Sequence, residues 1–174
     1  HTSSHCDWSS DVCSSALIDS LAREGMRFTD AHAPGSWCVP SRYGLLTGRY
    51  PCRPRRFFVN RAPVIEADRL TVASFLREQG YATAMVGKWN LGHAQETYHP
   101  NQRGFEHFYG HLHTEVGYFP PFAAQGGRDF QRNGESIDDE GYETFLMGRE
   151  GARWIRERDK TKPFFLLEAQ LEQE

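Results

Sequence analysis

Three features of the sequence predict an α/β layer fold. Helix-period and strand-period segments alternate along the chain, glycines stand where the helical segments stop, and chemistry-bearing residues gather where apolar strand segments end. With 39% apolar and 25% charged residues over 174 positions, the composition is that of one ordinary globular domain.

The elements follow in order. Residues 1–15 carry no helical or strand period and are set apart as a non-native or disordered segment, since Asp7–Ser15 reads like a sequencing-adapter oligonucleotide translated in frame. Residues 16–174 form the domain. Leu17, Ile18, Leu21 and Ala22 recur at helical spacing up to Gly25, which predicts a helix over 16–24 with a glycine end. Met26–Ala33 alternates like a strand until Pro34-Gly35 breaks it. Pro51–Pro63, with three prolines among arginines and aromatics, reads as an irregular loop. Leu70, Val72, Ala73 and Leu76 predict a helix over 70–79, and Tyr81–Val86 a short buried strand. From Gly92 to Gly141 glycine, proline, histidine and aromatics dominate, which predicts long loops over a site. Tyr142–Arg158 is the longest helix candidate, and Pro163–Ala169 the strand that follows it.

Bulk properties exclude several functions. A net charge of −3 argues against binding nucleic acid through a whole-surface field, although Arg49, Arg53, Arg55 and Arg56 form a local basic run, read mainly as a solvated loop. No window approaches the roughly twenty apolar residues that cross a bilayer. The four cysteines, Cys6, Cys13, Cys38 and Cys52, lack zinc-site spacing.

The stretch Ser36–Arg49 combines a thiol, a rigid turn, a cation and a helix start. Pro40 suits the first turn of a helix running through Leu46, so Cys38 sits just ahead of a helix N-terminus. Unpaired N–H groups there favour an anion, and Arg42 adds a planar fork of donors for a tetrahedral oxyanion. A second group of interest, Gly87-Lys88-Trp89-Asn90, ends the 81–86 strand. Lys88 between Gly87 and Trp89 is less readily a solvated residue than most lysines. A structural or disulfide-bonded cysteine is the plain alternative for Cys38.

Cys38, Pro40, Ser41, Arg42 and Leu45-Leu46-Thr47-Gly48-Arg49 resemble the Cys-x-Pro-Ser-Arg signature of the type I, formylglycine-dependent sulfatases. Gly80-Tyr81-x-Thr83 with Gly87-Lys88-Trp89-Asn90-Leu91-Gly92 is similar to that family's second signature. Weaker similarity runs through Arg103–Gly110 and Lys162–Leu166, so that it spans about residues 16–168. The resemblance implies the N-terminal part of an alkaline-phosphatase-like catalytic domain, truncated at both ends, and a sulfuric ester hydrolase acting on a sulfated carbohydrate or aryl alcohol. It also implies a secreted or periplasmic setting.

Further implications concern individual residues. Cys38 becomes formylglycine, made by a formylglycine-generating maturation enzyme, and its hydrated aldehyde replaces a thiol whose sulfated adduct would be a dead end. Arg42 holds the nucleophile, Lys88 neutralises sulfate charge, and both bind substrate. Asn90 stands where the family has His, and an amide cannot exchange a proton near neutral pH, so an acid–base contribution of roughly two to four orders of magnitude is missing. The solvated-loop reading is preferred for His93, His99, His107, His111 and His113. A calcium ion is implied, with modified Cys38 as one ligand; its carboxylate ligands are absent from this chain, and Asp138-Asp139, the tempting substitutes, read as N-caps in a surface turn. The truncated chain itself is therefore expected to be inactive. Two alternatives stay open: a degenerate module that binds sulfated glycans without turnover, and a phosphonate or phosphate ester hydrolase of the same fold.

Overall fold

A computed structural model describes residues 11–53, 64–114, 116–124 and 127–170, with side chains 11–15 and 123–124 excepted. The chain divides into two compact units, His1–Ala33 and Pro34–Glu174.

In the first unit, helix α1 spans Asp11–Glu24 and begins five residues before the expected start at Ala16. Gly25 N–H closes its last turn on the Leu21 carbonyl at 2.9 Å. The strand expected over Met26–Ala33 is not formed; the segment is irregular, with Met26 and Phe28 exposed. Alternation makes a strand only where another strand accepts its hydrogen bonds, and this segment pairs with none in the described sheets.

The second unit is built around a five-stranded mixed sheet in the spatial order Glu135–Ser136 (β6), Gln131–Arg132 (β5), His107–Gly110 (β2), Ala82–Gly87 (β1) and Phe164–Ala169 (β7). Strand β1 (Ala82–Gly87) is buried at all six positions. It pairs in parallel with β7 (Phe164–Ala169), Ala82 opposite Phe164 through Gly87 opposite Ala169, and with β2 (His107–Gly110). Its side chains alternate between two cores. Met85 points to one with Tyr43, Leu46, Ala73, Trp89, Phe105 and Phe108. Val86 points to the other with Tyr109, Phe130, Leu146 and Met147. Each large apolar side chain removed from water in this way contributes about 1.5–3 kcal/mol.

Helices α2 (Cys38–Thr47) and α3 (Val72–Glu78) feed the first core, and α4 (Glu143–Glu157) the second. The α3 start falls at Val72 rather than Leu70 because Thr71 caps it reciprocally with Ser74, N–H to hydroxyl at 3.0 and 2.9 Å.

The stretch expected as loops, 92–141, instead supplies part of the sheet. His107–Gly110 is a sheet strand whose Phe108 and Tyr109 are buried. Beyond the small β3–β4 pair (Ala123–Ala124, Gly127–Arg128), strands β5 (Gln131–Arg132) and β6 (Glu135–Ser136) form a hairpin on β2. Asn133 and Gly134 turn it with φ of 52° and 92°, the positive pair that two-residue hairpins need. Four residues are too few to display a period, so β2 hid among the glycines. Gly110 is one of those glycines for a packing reason: with φ at 146°, a Cβ there would lie 2.2 Å from the Gly87 carbonyl oxygen.

Candidate functional site

The site lies where β1 ends against the N-terminus of α2. Cys38 is the first residue of α2, one step further in than expected, and Trp37 is its N-cap without a side-chain cap bond. Ser41 N–H reaches back to the Trp37 carbonyl at 3.0 Å, and Gly48, left-handed at φ 66°, closes the other end. This places Arg42 one turn beyond Cys38 on the same face.

Strand β1 stops because Gly87 turns at φ 104°, after which three consecutive N–H groups bond three different carbonyls. Lys88 donates to Ala169 at 3.0 Å, Trp89 to His111 at 2.9 Å and Asn90 to Leu112 at 3.1 Å. Asn90 is left-handed at φ 55°, a conformation asparagine tolerates better than most residues.

Two contacts join the motifs. Arg42 Nη1 donates to the Lys88 carbonyl at 2.5 Å, and Asn90 Nδ2 donates to Cys38 Sγ at 3.0 Å. Burial pulls the Arg42 guanidinium below its ordinary pKa, and the charge of Cys38 works in the other direction. Half-buried Lys88 has no ion-pair partner for its ammonium among the described residues, and its backbone carbonyl holds Arg42. Cys38 and Cys52 are free thiols.

Several supporting residues were not anticipated. Thr114 Oγ1 donates to Asn90 Oδ1 at 3.1 Å, fixing the amide so that its NH2 faces Cys38. Asp129 accepts from the N–H groups of Leu112 and His113 at 2.9 and 2.6 Å, shaping the strip on which Thr114 lies. Only the tertiary fold brings these residues together; no spacing in the sequence signals them.

The histidines divide. His93 is exposed as expected, its ring 3.8 Å from that of half-buried His113, and half-buried His99 contacts the His93 carbonyl. His111 is fully buried, contrary to the solvated-loop reading, because the strip it belongs to packs under the end of β1. His107 also departs from that reading: its Nε2 lies 2.8 Å from buried Glu150.

Asp138 and Asp139 are not N-caps, since α4 starts after Tyr142. Asp138 pairs with Arg128, and Asp139 accepts from Tyr109 Oη at 2.7 Å and lies 3.5 Å from Arg132. Among the described residues no group of three or more His, Cys, Asp or Glu side chains is arranged to hold a metal ion. The described residues around Cys38 therefore do not fit a calcium site. Of the basic run, Arg49 lies 3.7 Å from Glu66, Arg53 is exposed, and Arg55 and Arg56 fall outside the described residues.

A family model described as Sulfatase matches residues 7–172. The chain belongs to the sulfatase family. It is 48% identical over 96 residues to arylsulfatase G of Mus musculus, a stretch covering 53% of this chain and 18% of that protein. It is 30% identical over 152 residues to N-acetylglucosamine-6-O-sulfatase of Bacteroides thetaiotaomicron, covering 86% and 24%. Among solved structures, that of Ps i-CgsB in complex with k-i-k-neocarrahexaose superposes with a TM-score of 0.74 at 31% identity, over 87% of this chain and 38% of the other. The sheet is thus part of the alkaline-phosphatase-like sulfatase fold. This sulfatase chain spans less than half the length of each of these three proteins.

Proposed function

We propose that the chain carries the nucleophile half of a sulfuric ester hydrolase whose substrate is a sulfated carbohydrate or aryl alcohol. The observation that supports this most is the 3.0 Å contact of Asn90 with Cys38, which puts the ends of both signature motifs on one sulfur atom. The relative from Bacteroides thetaiotaomicron, named for a sugar sulfate, and the arylsulfatase from mouse support the two substrate classes.

In this reading Cys38 is converted to formylglycine by a maturation enzyme that reads Cys38-x-Pro40-x-Arg42. The hydrated aldehyde supplies two hydroxyls: one attacks sulfur and displaces the alcohol, and deprotonation of the other expels sulfate and restores the aldehyde. The other residues orient and neutralise. Arg42, held by the Lys88 carbonyl through Nη1, has further guanidinium donors to offer a sulfate oxygen. Lys88 offers an unspent positive charge for the sulfate oxygens. Asn90 orients the group at position 38 by hydrogen bonding but moves no proton. Calcium, expected for the family, would need carboxylates beyond the described residues, and no step is assigned to it.

Asn90 favours one second reading, a module that binds sulfated glycans without turnover. Matched aryl sulfate and aryl phosphonate esters, given to the longer protein after maturation, separate the readings. Free sulfate released faster than phosphonate supports the sulfatase. Glycan retention on a sulfated column with no release of either product would replace it with the binding module.

A further inference from the structure

Two buried side chains behind the site face each other with unsatisfied polar atoms. His111 and Glu143 are 0% and 1% exposed, their Nε2 and Oε1 atoms lie 3.5 Å apart, and among the described residues neither Nε2 nor either Glu143 oxygen has a hydrogen-bond partner. Leaving such groups unpaired is costly, so the contact calls for a proton between them.

The tautomer follows from His111 Nδ1, which lies 2.9 Å from the His113 carbonyl. A carbonyl only accepts, so Nδ1 carries a hydrogen and Nε2, in the neutral ring, is an acceptor. Opposite it, an ionised Glu143 would present a second acceptor. One proton resolves the clash, and it has two places to sit. On the ring it would make a buried imidazolium, favoured by Asp129 but opposed by burial and by the charges of Lys88 and Arg42. On the carboxyl it makes two neutral partners, and burial pushes the Glu143 carboxyl up to about 7 and the His111 ring down to about 4. The position of Glu143 in the first turn of α4 favours its anion, but that effect is weaker than the cost of burying an unpaired carboxylate.

We infer that protonated Glu143 donates to neutral His111 Nε2, and that this buried pair is a positioning device for Asn90. The path is short. The His111 carbonyl receives Trp89 N–H, the Leu112 carbonyl receives Asn90 N–H, and Thr114 two residues on orients the Asn90 amide. Glu143 is tied from the other side, its own N–H donating to the Tyr118 carbonyl at 2.8 Å. Loss of the shared proton puts a carboxylate against a lone pair and pushes the 111–114 strip away from Asn90. Glu143 binds its proton more tightly folded than unfolded, so its own contribution is present at acid pH and is lost as pH rises through about 7, whereas the ring of His111, held down to about 4 by burial, opposes the folded arrangement as pH falls below its ordinary range. The inference concerns the same site and rests on the sulfatase reading only for the importance of Asn90.

The test is a pH titration by nuclear magnetic resonance of the isotopically labelled full chain, following the His111 ring nitrogens, the Glu143 carboxyl carbon and the Asn90 side-chain amide. We expect a neutral Nδ1–H ring at pH 6, with all three signals moving together at a midpoint near 7. Glu143→Gln, whose amide can still donate to Nε2, should abolish that midpoint and hold Asn90 in its low-pH position. An imidazolium at pH 6, or a Glu143 carboxyl that titrates in the ordinary range without moving Asn90, would overturn the inference. Should the Gln variant fail to fold, the wild-type titration alone decides. No turnover is involved, so sulfate release and this titration fail independently.

Discussion

The two halves of the site are held in place by different means. The α2 half is local: Pro40, the Ser41-to-Trp37 bond and the Gly48 cap set the helix that carries Cys38 and Arg42. The Lys88–Asn90 half is a junction, each of its three N–H groups bonded to a segment at least 20 residues away in sequence. A locally built element tolerates changes elsewhere, whereas a junction transmits them. The Cys38 half is accordingly the part of the site that a motif can specify, and the Asn90 half is the part that the whole sheet must deliver.

Substitutions that break the junction should therefore act at a distance. The largest effect is expected from Gly110→Ala, whose methyl group would meet the Gly87 carbonyl oxygen at a backbone angle that L-residues avoid. A loss of about 4 kcal/mol in chemical denaturation is predicted, enough to unfold much of the population. Next comes Asn90→His, which sharpens the comparison because histidine also accepts left-handed backbone and adds a titratable group. In the longer, matured protein it should raise sulfate release by roughly a hundredfold. An unchanged rate would show that position 90 does not face the reacting group. Thr114→Val is the mildest: it removes the donor to Asn90 Oδ1 and should cost about 1 kcal/mol, a few-fold in rate, with the fold intact.

Much of the fold could be read from periodicity, and the reasons for the failures are specific. The helices at 143–157 and 72–78 and the strands at 82–87 and 164–169 lie within one or two residues of expectation, because each shows an apolar period or an apolar run closed by glycine or proline. Met26–Ala33 failed for the opposite reason to His107–Gly110. The first has the alternation but no strand to pair with among the described residues; the second has a partner on each side but is too short to alternate visibly. In the candidate site, two motifs singled out Cys38, Arg42, Lys88 and Asn90, and the structure brings Arg42 to the Lys88 carbonyl and Asn90 to Cys38. Thr114, Asp129 and the His111–Glu143 pair were not, since burial and hydrogen bonding between residues distant in sequence leave no spacing to read.

The central claim is that these two halves form one site for sulfate-ester hydrolysis at Cys38. The most direct measurement is release of free sulfate from an aryl sulfate by the longer protein, matured beside a formylglycine-generating enzyme, against the same protein carrying Cys38→Ala. Turnover by the native protein that falls to background in the variant is the predicted result. Equal release by both proteins would contradict the claim.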